Sequence, residues 1–164
     1  MSDHSDRCYV PLTKEDLIEL AFRAIEVLKE KGKPINDCKC MVISQNTASH
    51  YLSPDKKIGL HDFDIIAFFT NLKKETHQQP IKGDSKLTKF GDYCKQCPKS
   101  DYIARKMDIF CKNIKLLENM NLEDSVKEYF KNSGTKWIKE VGKRPIVCIV
   151  PEKLCGKTLW SPDN

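Results

Sequence analysis

The sequence predicts a mixed α/β fold, a β-sheet with helices packed on it, and three observations predict it. Apolar residues recur at helical spacing near the N-terminus. Short apolar runs bounded by turn-forming residues follow, with lengths typical of strands. Two of these runs contain aspartates. The predicted order is helix, strand, helix, acidic strand, acidic strand, helix and strand, in a single domain over residues 1–164.

The composition is that of a globular chain, with 40% hydrophobic and 31% charged residues. Because no apolar run approaches the roughly 20 residues of a membrane span, we expect no membrane partner. The polar N-terminus lacks the apolar core of a secretion signal, so the expected location is cytoplasmic. The net charge of +5 is compatible with a nucleotide or nucleic-acid partner but does not require one.

The first predicted helix begins after Thr13, a residue suited to cap a helix N-terminus. Acidic residues fill its first turn, where they interact favourably with the helix dipole. Its apolar residues lie on one side and continue to about Lys31, where Gly32 and Pro34 end the helix. We expect this helix to cover one face of the sheet.

An apolar run at residues 40–43 predicts a buried strand, and the small polar residues 44–47 predict a turn into a short helix. Residues 59–69 are mostly apolar and aromatic, and as a strand they place Asp62 and Asp64 on one face. Adjacent carboxylates repel each other and are costly to bury unpaired. A divalent metal is the simplest partner for them.

The second half of the chain begins with a long polar loop, predicted at about residues 71–102. Residues 103–111 predict a strand with Asp108 in its interior, where strands normally avoid aspartate. A helix is predicted from residue 123 to 137, with Gly134 as a candidate break, and a last apolar strand ends before Pro151.

The aspartates inside these two apolar strands are explained if the strands are neighbours in the sheet. Asp62, Asp64 and Asp108 would then meet on one face. Carboxylate oxygens are the ligands that Mg²⁺ prefers, and Mg²⁺ commonly bridges to substrate phosphates. A pair of such ions about 3.5–4 Å apart stabilises the attacking and leaving oxygens of phosphoryl transfer.

This arrangement resembles the nucleotidyltransferase superfamily, the fold of DNA polymerase β-like enzymes and small antibiotic nucleotidyltransferases. In that family a strand leads into a Gly-Gly or Gly-Ser turn, a strand with two acids follows, and another strand carries a third acid. Residues 42–48 stand at the glycine turn, and the resemblance covers roughly residues 40–111. Residues 45–51, before the Asp-Phe-Asp strand, are also similar to a bacterial group that implies the same fold and leaves its substrate open.

The resemblance implies a Mg²⁺-dependent transfer of NMP from an NTP to an unknown acceptor, which is a small molecule, a protein or a nucleic acid. Asp62 and Asp64 would ligate both metal ions. Asp108 would bind the catalytic metal and orient or deprotonate the acceptor hydroxyl. The turn residues implied to contact the β- and γ-phosphates are Ser44, Gln45 and Asn46.

Basic residues near the motifs are candidates to offset phosphate charge: Lys57, Arg105 and Lys106. The turn itself departs from the family, because Gln45 and Asn46 stand where glycines would let the backbone approach a phosphate closely. A catalytically degenerate relative that binds a protein or nucleic acid is therefore an alternative. A metal-dependent nuclease is another, since Lys106 and Asp108 would share one face of a strand.

A zinc-binding module is a further alternative. Eight cysteines in a chain without a secretion signal do not indicate a disulfide framework. A Cys-x-Cys and a Cys-x-x-Cys pair could together supply four thiolates to zinc. These residues are Cys38, Cys40, Cys94 and Cys97.

Overall fold

The predicted mixed α/β fold is confirmed by a computed structural model that describes residues 7–53, 55, 58–91, 102–132 and 134–162. The helices are α1 (Lys14–Glu30), α2 (Gln45–Leu52), α3 (Leu122–Asn132) and α4 (Lys136–Val141). The strands are β1 (Cys38–Ile43), β2 (Phe63–Phe69), β3 (Ile81–Asp84), β4 (Lys106–Asn113), β5 (Ile146–Val150) and β6 (Thr158–Trp160). None of the helices in these ranges is long and apolar enough to cross a membrane.

The six strands form one mixed sheet in the order β3-β4-β2-β1-β5-β6. Strands β2 and β4 are parallel, and the other neighbouring pairs are antiparallel. The two strands in which the sequence places aspartates among apolar residues are therefore neighbours, as the metal hypothesis requires.

One side of the sheet, the closed face, carries Met107, Ile109 and Cys111 of β4 and is covered mainly by α1. The N-terminus of α1 has the expected cap: Thr13 Oγ1 accepts a hydrogen bond from the Asp16 N–H at 3.1 Å. The Asp16 carboxylate in turn accepts one from the Thr13 N–H at 2.8 Å. Helix α1 and β3 approach so closely that a Cβ at position 83 would lie 2.7 Å from a Val27 methyl, which explains the glycine there.

The opposite side, the charged face, carries Lys106, Asp108, Phe110 and Lys112 of β4. Helices α3 and α4 pack here on alternate residues of β1, β2, β5 and β6, forming a second apolar cluster. Among the described residues, β4 contributes no side chain to that cluster. Lys106 and Asp108 therefore lie beside the helical cover and are partly exposed, whereas Lys112 is buried against Trp137 of α4.

Several elements differ from the sequence prediction. Strand β3 lies inside the predicted polar loop, because it gains backbone hydrogen bonds from β4. Strand β2 begins at Phe63, so Asp62 precedes the strand instead of lying within it. The predicted helix over residues 123–137 is two helices, with Gly134 in the break between them. Strand β4 extends two residues further than expected, to Asn113, and this extension places Lys112 in the sheet.

Candidate metal and phosphate site

The structure brings the three predicted aspartates to one end of the charged face. Asp64 in β2 lies directly beside Asp108 in β4, in parallel register. Asp62 is buried in the segment that enters β2. The Lys106 ammonium lies 3.7 Å from Asp62 Oδ2 and 3.8 Å from Asp108 Oδ1. One cation therefore interacts with two of the three carboxylates.

Other basic residues surround the acids. His61 Nδ1 lies 3.4 Å from Asp62 Oδ2. Lys82 of β3 is paired in register with Asp108 across the antiparallel ladder, which puts both side chains on the charged face. Arg144, just before β5, acts electrostatically on Asp64. The positive charges of Lys106, Lys82 and Arg144 thus partly compensate the carboxylates.

The protonation of the acids reflects their burial and their mutual repulsion. Burial raises the pKa of Asp64 to about 7, and the charges of Asp108 and Asp62 add to the rise against the opposing effect of Arg144. Burial also raises the pKa of Asp108, while Lys106 opposes the rise. A divalent cation would relieve both the repulsion and the desolvation cost.

Two carboxylate oxygens in this site are buried and accept no hydrogen bond from any described residue: Asp62 Oδ1 and Asp108 Oδ1. A buried acceptor without a hydrogen bond is costly, and for Asp108 Oδ1 the Lys106 ammonium at 3.8 Å offsets part of this cost. The chemistry of the two oxygens fits Mg²⁺, which prefers oxygen donors. With the side chains as they stand, however, no three His, Cys, Asp or Glu residues in the described ranges are arranged to hold a metal ion. Metal binding therefore requires side-chain movement, with the Lys106 ammonium displaced from between Asp62 and Asp108.

The turn before α2 reaches this site through its backbone. The Ser44 N–H donates to the Asp64 carbonyl at 3.0 Å, and Ser44 is almost fully buried at the helix N-cap. Gln45 has φ +50°, in the left-handed region that favours glycine. The backbone at position 45 thus has the conformation that a glycine would adopt most easily, although the residue is glutamine.

Asn46 has a structural role in this geometry. Its side-chain Nδ2 donates to the Gly59 carbonyl at 2.8 Å, and its Oδ1 accepts from the His61 N–H at 2.8 Å. The amide predicted to contact phosphate therefore fixes the segment that leads to Asp62.

Thr47 makes an equivalent link one residue later. Its hydroxyl accepts from the Asp64 N–H at 2.7 Å and donates to the Asp62 carbonyl at 3.0 Å. The first turn of α2 is thereby connected to the backbone of both aspartates. Neither the turn at residues 44–47 nor the acidic strand indicated this connection in the sequence, because a threonine in a helix carries no signal of such a role.

The other predicted cations have different positions. Arg105 is buried and donates to the Phe90 carbonyl at 2.5 Å and the His61 carbonyl at 2.8 Å, so its guanidinium supports the backbone around the site. Lys57 lies outside the described residues.

A pocket of about 330 Å³ adjoins the turn before α2. It is lined by Gln45, Trp137, Glu140, Val141, Lys143 and Arg144. Sequence analysis missed Trp137 and the basic pair at residues 143–144. The signal that could have revealed the pair is its place directly before the last apolar strand.

The two predicted zinc ligands in the described ranges, Cys38 and Cys40, do not share one surface. An irregularity in β1 between Cys38 and Cys40 shifts the strand register. Cys38 consequently packs against the apolar cluster of the closed face, and Cys40 lies in the cluster of the charged face. Cys94 and Cys97 lie outside the described residues. Zinc binding stays a prediction, which metal analysis of the purified protein would test.

No protein-family model, curated protein or solved structure matches this chain.

Proposed function

We propose that this protein is a Mg²⁺-dependent nucleotidyltransferase that transfers NMP from an NTP to an acceptor hydroxyl. The pairing of Asp64 with Asp108 in neighbouring parallel strands carries the proposal. Asp62 beside them and the two buried carboxylate oxygens that accept no hydrogen bond from a described residue support it. The order of strand, turn, short helix and acidic strands also resembles the nucleotidyltransferase superfamily.

The residues for a metal are Asp62, Asp64 and Asp108. Bound Mg²⁺ would supply positive charge to the phosphoryl oxygens and the leaving group. Asp108 lies on the outer of the two acidic strands and is the residue to orient the acceptor hydroxyl or take its proton. Because a ligating carboxylate must be deprotonated, the raised pKa of Asp64 predicts metal affinity that weakens below neutral pH.

The phosphate groups of the nucleotide fit the turn before α2. Backbone N–H groups at a helix N-terminus favour anions, and the glycine-like conformation of Gln45 helps the backbone to approach a ligand. Lys143 and Arg144 line the pocket beside Gln45 and supply compensating charge. Asn46 and Thr47 act as positioning residues, since their hydrogen bonds hold this turn against the acidic strand.

Calorimetric titration with Mg²⁺ and non-hydrolysable ATP, GTP, CTP and UTP analogues tests the proposal. We expect nucleotide binding that needs Mg²⁺ and that Asp64→Asn and Asp108→Asn each abolish. Asp124→Asn, at an exposed position on α3, is the matched control and should bind as wild type. Failure of all four analogues to bind, or binding unchanged in both site variants, would contradict the proposal.

A second candidate is a non-catalytic protein of the same fold that binds a protein or nucleic acid. It is favoured by the Lys106 ammonium, which already lies within 4 Å of Asp62 and Asp108, and by the engaged amide of Asn46. Mg²⁺-independent binding of an oligonucleotide or protein by both wild type and Asp108→Asn would support this alternative.

A carboxylate-metal nuclease is also compatible with Lys106 at 3.8 Å from Asp108. Such an enzyme would cleave DNA or RNA with Mg²⁺ and lose this activity in Lys106→Met. Nucleotide transfer without strand cleavage would exclude it.

A further inference from the structure

The charged face has a second pocket, of about 410 Å³, at the other end of β4. We propose that it binds a small molecule with an aromatic or apolar body and an anionic oxygen group, a carboxylate or a phosphate. Its walls include Lys112, Trp137, Tyr129, Ile138, Glu75 and His77. The volume lies within the range of about 300–1,000 Å³ typical of small-molecule sites.

Lys112 carries the proposal through its burial and its contacts. The residue as a whole is only 7% exposed, but its ammonium nitrogen is not among the fully buried atoms that lack a partner, so the ammonium opens onto the pocket. The Trp137 ring, with its centroid 4.4 Å from Nζ, provides part of the compensation for the ammonium charge. An ammonium has three N–H donors. Yet within the described ranges no carboxylate forms an ion pair with Lys112, and no oxygen accepts a hydrogen bond from it.

Glu75 is the nearby acid, and it does not neutralise Lys112 by contact. It acts on Lys112 electrostatically, but its Oε2 accepts a hydrogen bond from the Asn113 N–H at 2.7 Å. The next residue, Thr76, donates its N–H to the Cys111 carbonyl at 3.0 Å. These two bonds hold Glu75 at the end of β4, which leaves the Lys112 ammonium open to an oxygen of a ligand in the pocket.

Aromatic rings provide the apolar wall of this pocket and are held by their own neighbours. Trp137 contacts Phe110 with ring centroids 5.5 Å apart. Tyr129 contacts Phe68 in an edge-to-face geometry at 4.9 Å. Because packing fixes both rings, the pocket is preformed and an apolar ligand body would bind without reordering them.

This pocket is distinct from the site of the aspartates, and the inference does not depend on the proposed transferase activity. Lys112 follows Asp108 by four residues on the same strand face, a separation of about 13 Å at the usual rise per residue. Trp137 lines both this pocket and the one beside Gln45. A ligand here would therefore contact a residue that also borders the proposed phosphate site.

The test uses the two tryptophan indole N–H signals of the ¹⁵N-labelled protein in an NMR titration. Trp137 lines the pocket, whereas the Trp160 N–H donates to the Gly142 carbonyl at 2.8 Å and serves as internal reference. The probes are benzoate, phenyl phosphate and neutral benzyl alcohol, at millimolar concentrations. Comparison of benzoate with phenyl phosphate identifies the preferred anion.

We expect a saturable shift of the Trp137 signal with at least one anion, and affinity for benzyl alcohol lower by about tenfold or more, as loss of a charged hydrogen bond implies. Lys112→Met should lose this preference, and exposed Lys127→Met should keep it. The proposal is overturned if neither anion gives a saturable shift, if benzyl alcohol binds equally well, or if Lys112→Met keeps the preference. The comparison of probes on wild type stands even if Lys112→Met does not fold.

Discussion

The two sides of strand β4 are composed in opposite ways. On the closed face Met107, Ile109 and Cys111 are fully buried in the apolar cluster beneath α1. On the charged face, the alternate residues include three charged side chains. Strands buried on both sides are normally apolar throughout. The charged positions depart from this pattern, while the intervening apolar positions stabilise the fold.

The positions of the helices explain why β4 can be apolar on one face and charged on the other. Helix α1 and the first cluster extend across the closed face as far as β3, where Val27 contacts Gly83. The cover formed by α3 and α4 on the charged face draws on β1, β2, β5 and β6. Lys106 and Asp108 thus avoid the cost of complete burial in an apolar environment, whereas Lys112 is nearly buried against Trp137.

The largest change in stability is expected at two successive residues of β4 that lie on opposite faces. Ile109→Ala removes a fully buried side chain and should lower the free energy of unfolding by about 2–5 kcal/mol. Phe110→Ala, at a partly exposed position, should lower the free energy of unfolding by less, although it removes a larger side chain. Urea denaturation measures both. Equal or reversed costs would show that the charged face is packed as tightly as the closed face.

Asn46→Ala should have the next largest effect, because it leaves the Gly59 carbonyl and the His61 N–H without their partner. We expect a loss of about 1–3 kcal/mol and faster hydrogen exchange at the His61 amide. Exposed Asn36→Ala is the control with the same chemical change. If the two variants are equally stable, the positioning role of Asn46 is wrong.

The charged face should also make stability depend on pH. Because the pKa of Asp64 rises from 3.8 to about 7, the folded state binds this proton more tightly than the unfolded chain. The contribution of Asp64 to stability should therefore fall as pH rises from about 4 to about 7, by up to about 1.4 kcal/mol per pH unit. Asp64→Asn should reduce this slope in denaturation curves measured across the range. An unchanged slope would mean that Asp64 ionises normally.

The smallest effect concerns the turn beside the acids. Gln45→Gly should be more stable than Gln45→Ala by about 1 kcal/mol, because only glycine adopts a positive φ without strain. Thermal unfolding of the two variants provides the measurement. A more stable alanine variant would indicate that Gln45 leaves the left-handed region in solution.

Local signals made much of the fold predictable. The Thr13 cap and the helical spacing after it predicted α1, and the apolar runs predicted β1, β2, β4 and β5. Aspartates in two such runs could meet on one face only if β2 and β4 were neighbours, and the structure shows that they are. The nucleotidyltransferase assignment stays a prediction.

The remaining features depend on tertiary contacts. Strand β3 contains a single large apolar residue, Ile81, and gains its order by pairing with β4. The backbone conformation of Gln45 contradicts the intrinsic preference of glutamine, so only the surrounding fold can impose it. Lys112 was missed because the predicted strand ended one residue earlier, which hid its place on the same face as Asp108.

The most direct test of the metal site is a crystal soaked with Mn²⁺ and a non-hydrolysable NTP, measured for anomalous scattering. The proposal predicts a manganese peak coordinated by Asp62, Asp64 and Asp108, with the Lys106 ammonium moved away from Asp62 and Asp108 and the triphosphate against the turn at Ser44 and Gln45. Absence of a peak at these carboxylates, with Lys106 still between Asp62 and Asp108, would contradict it.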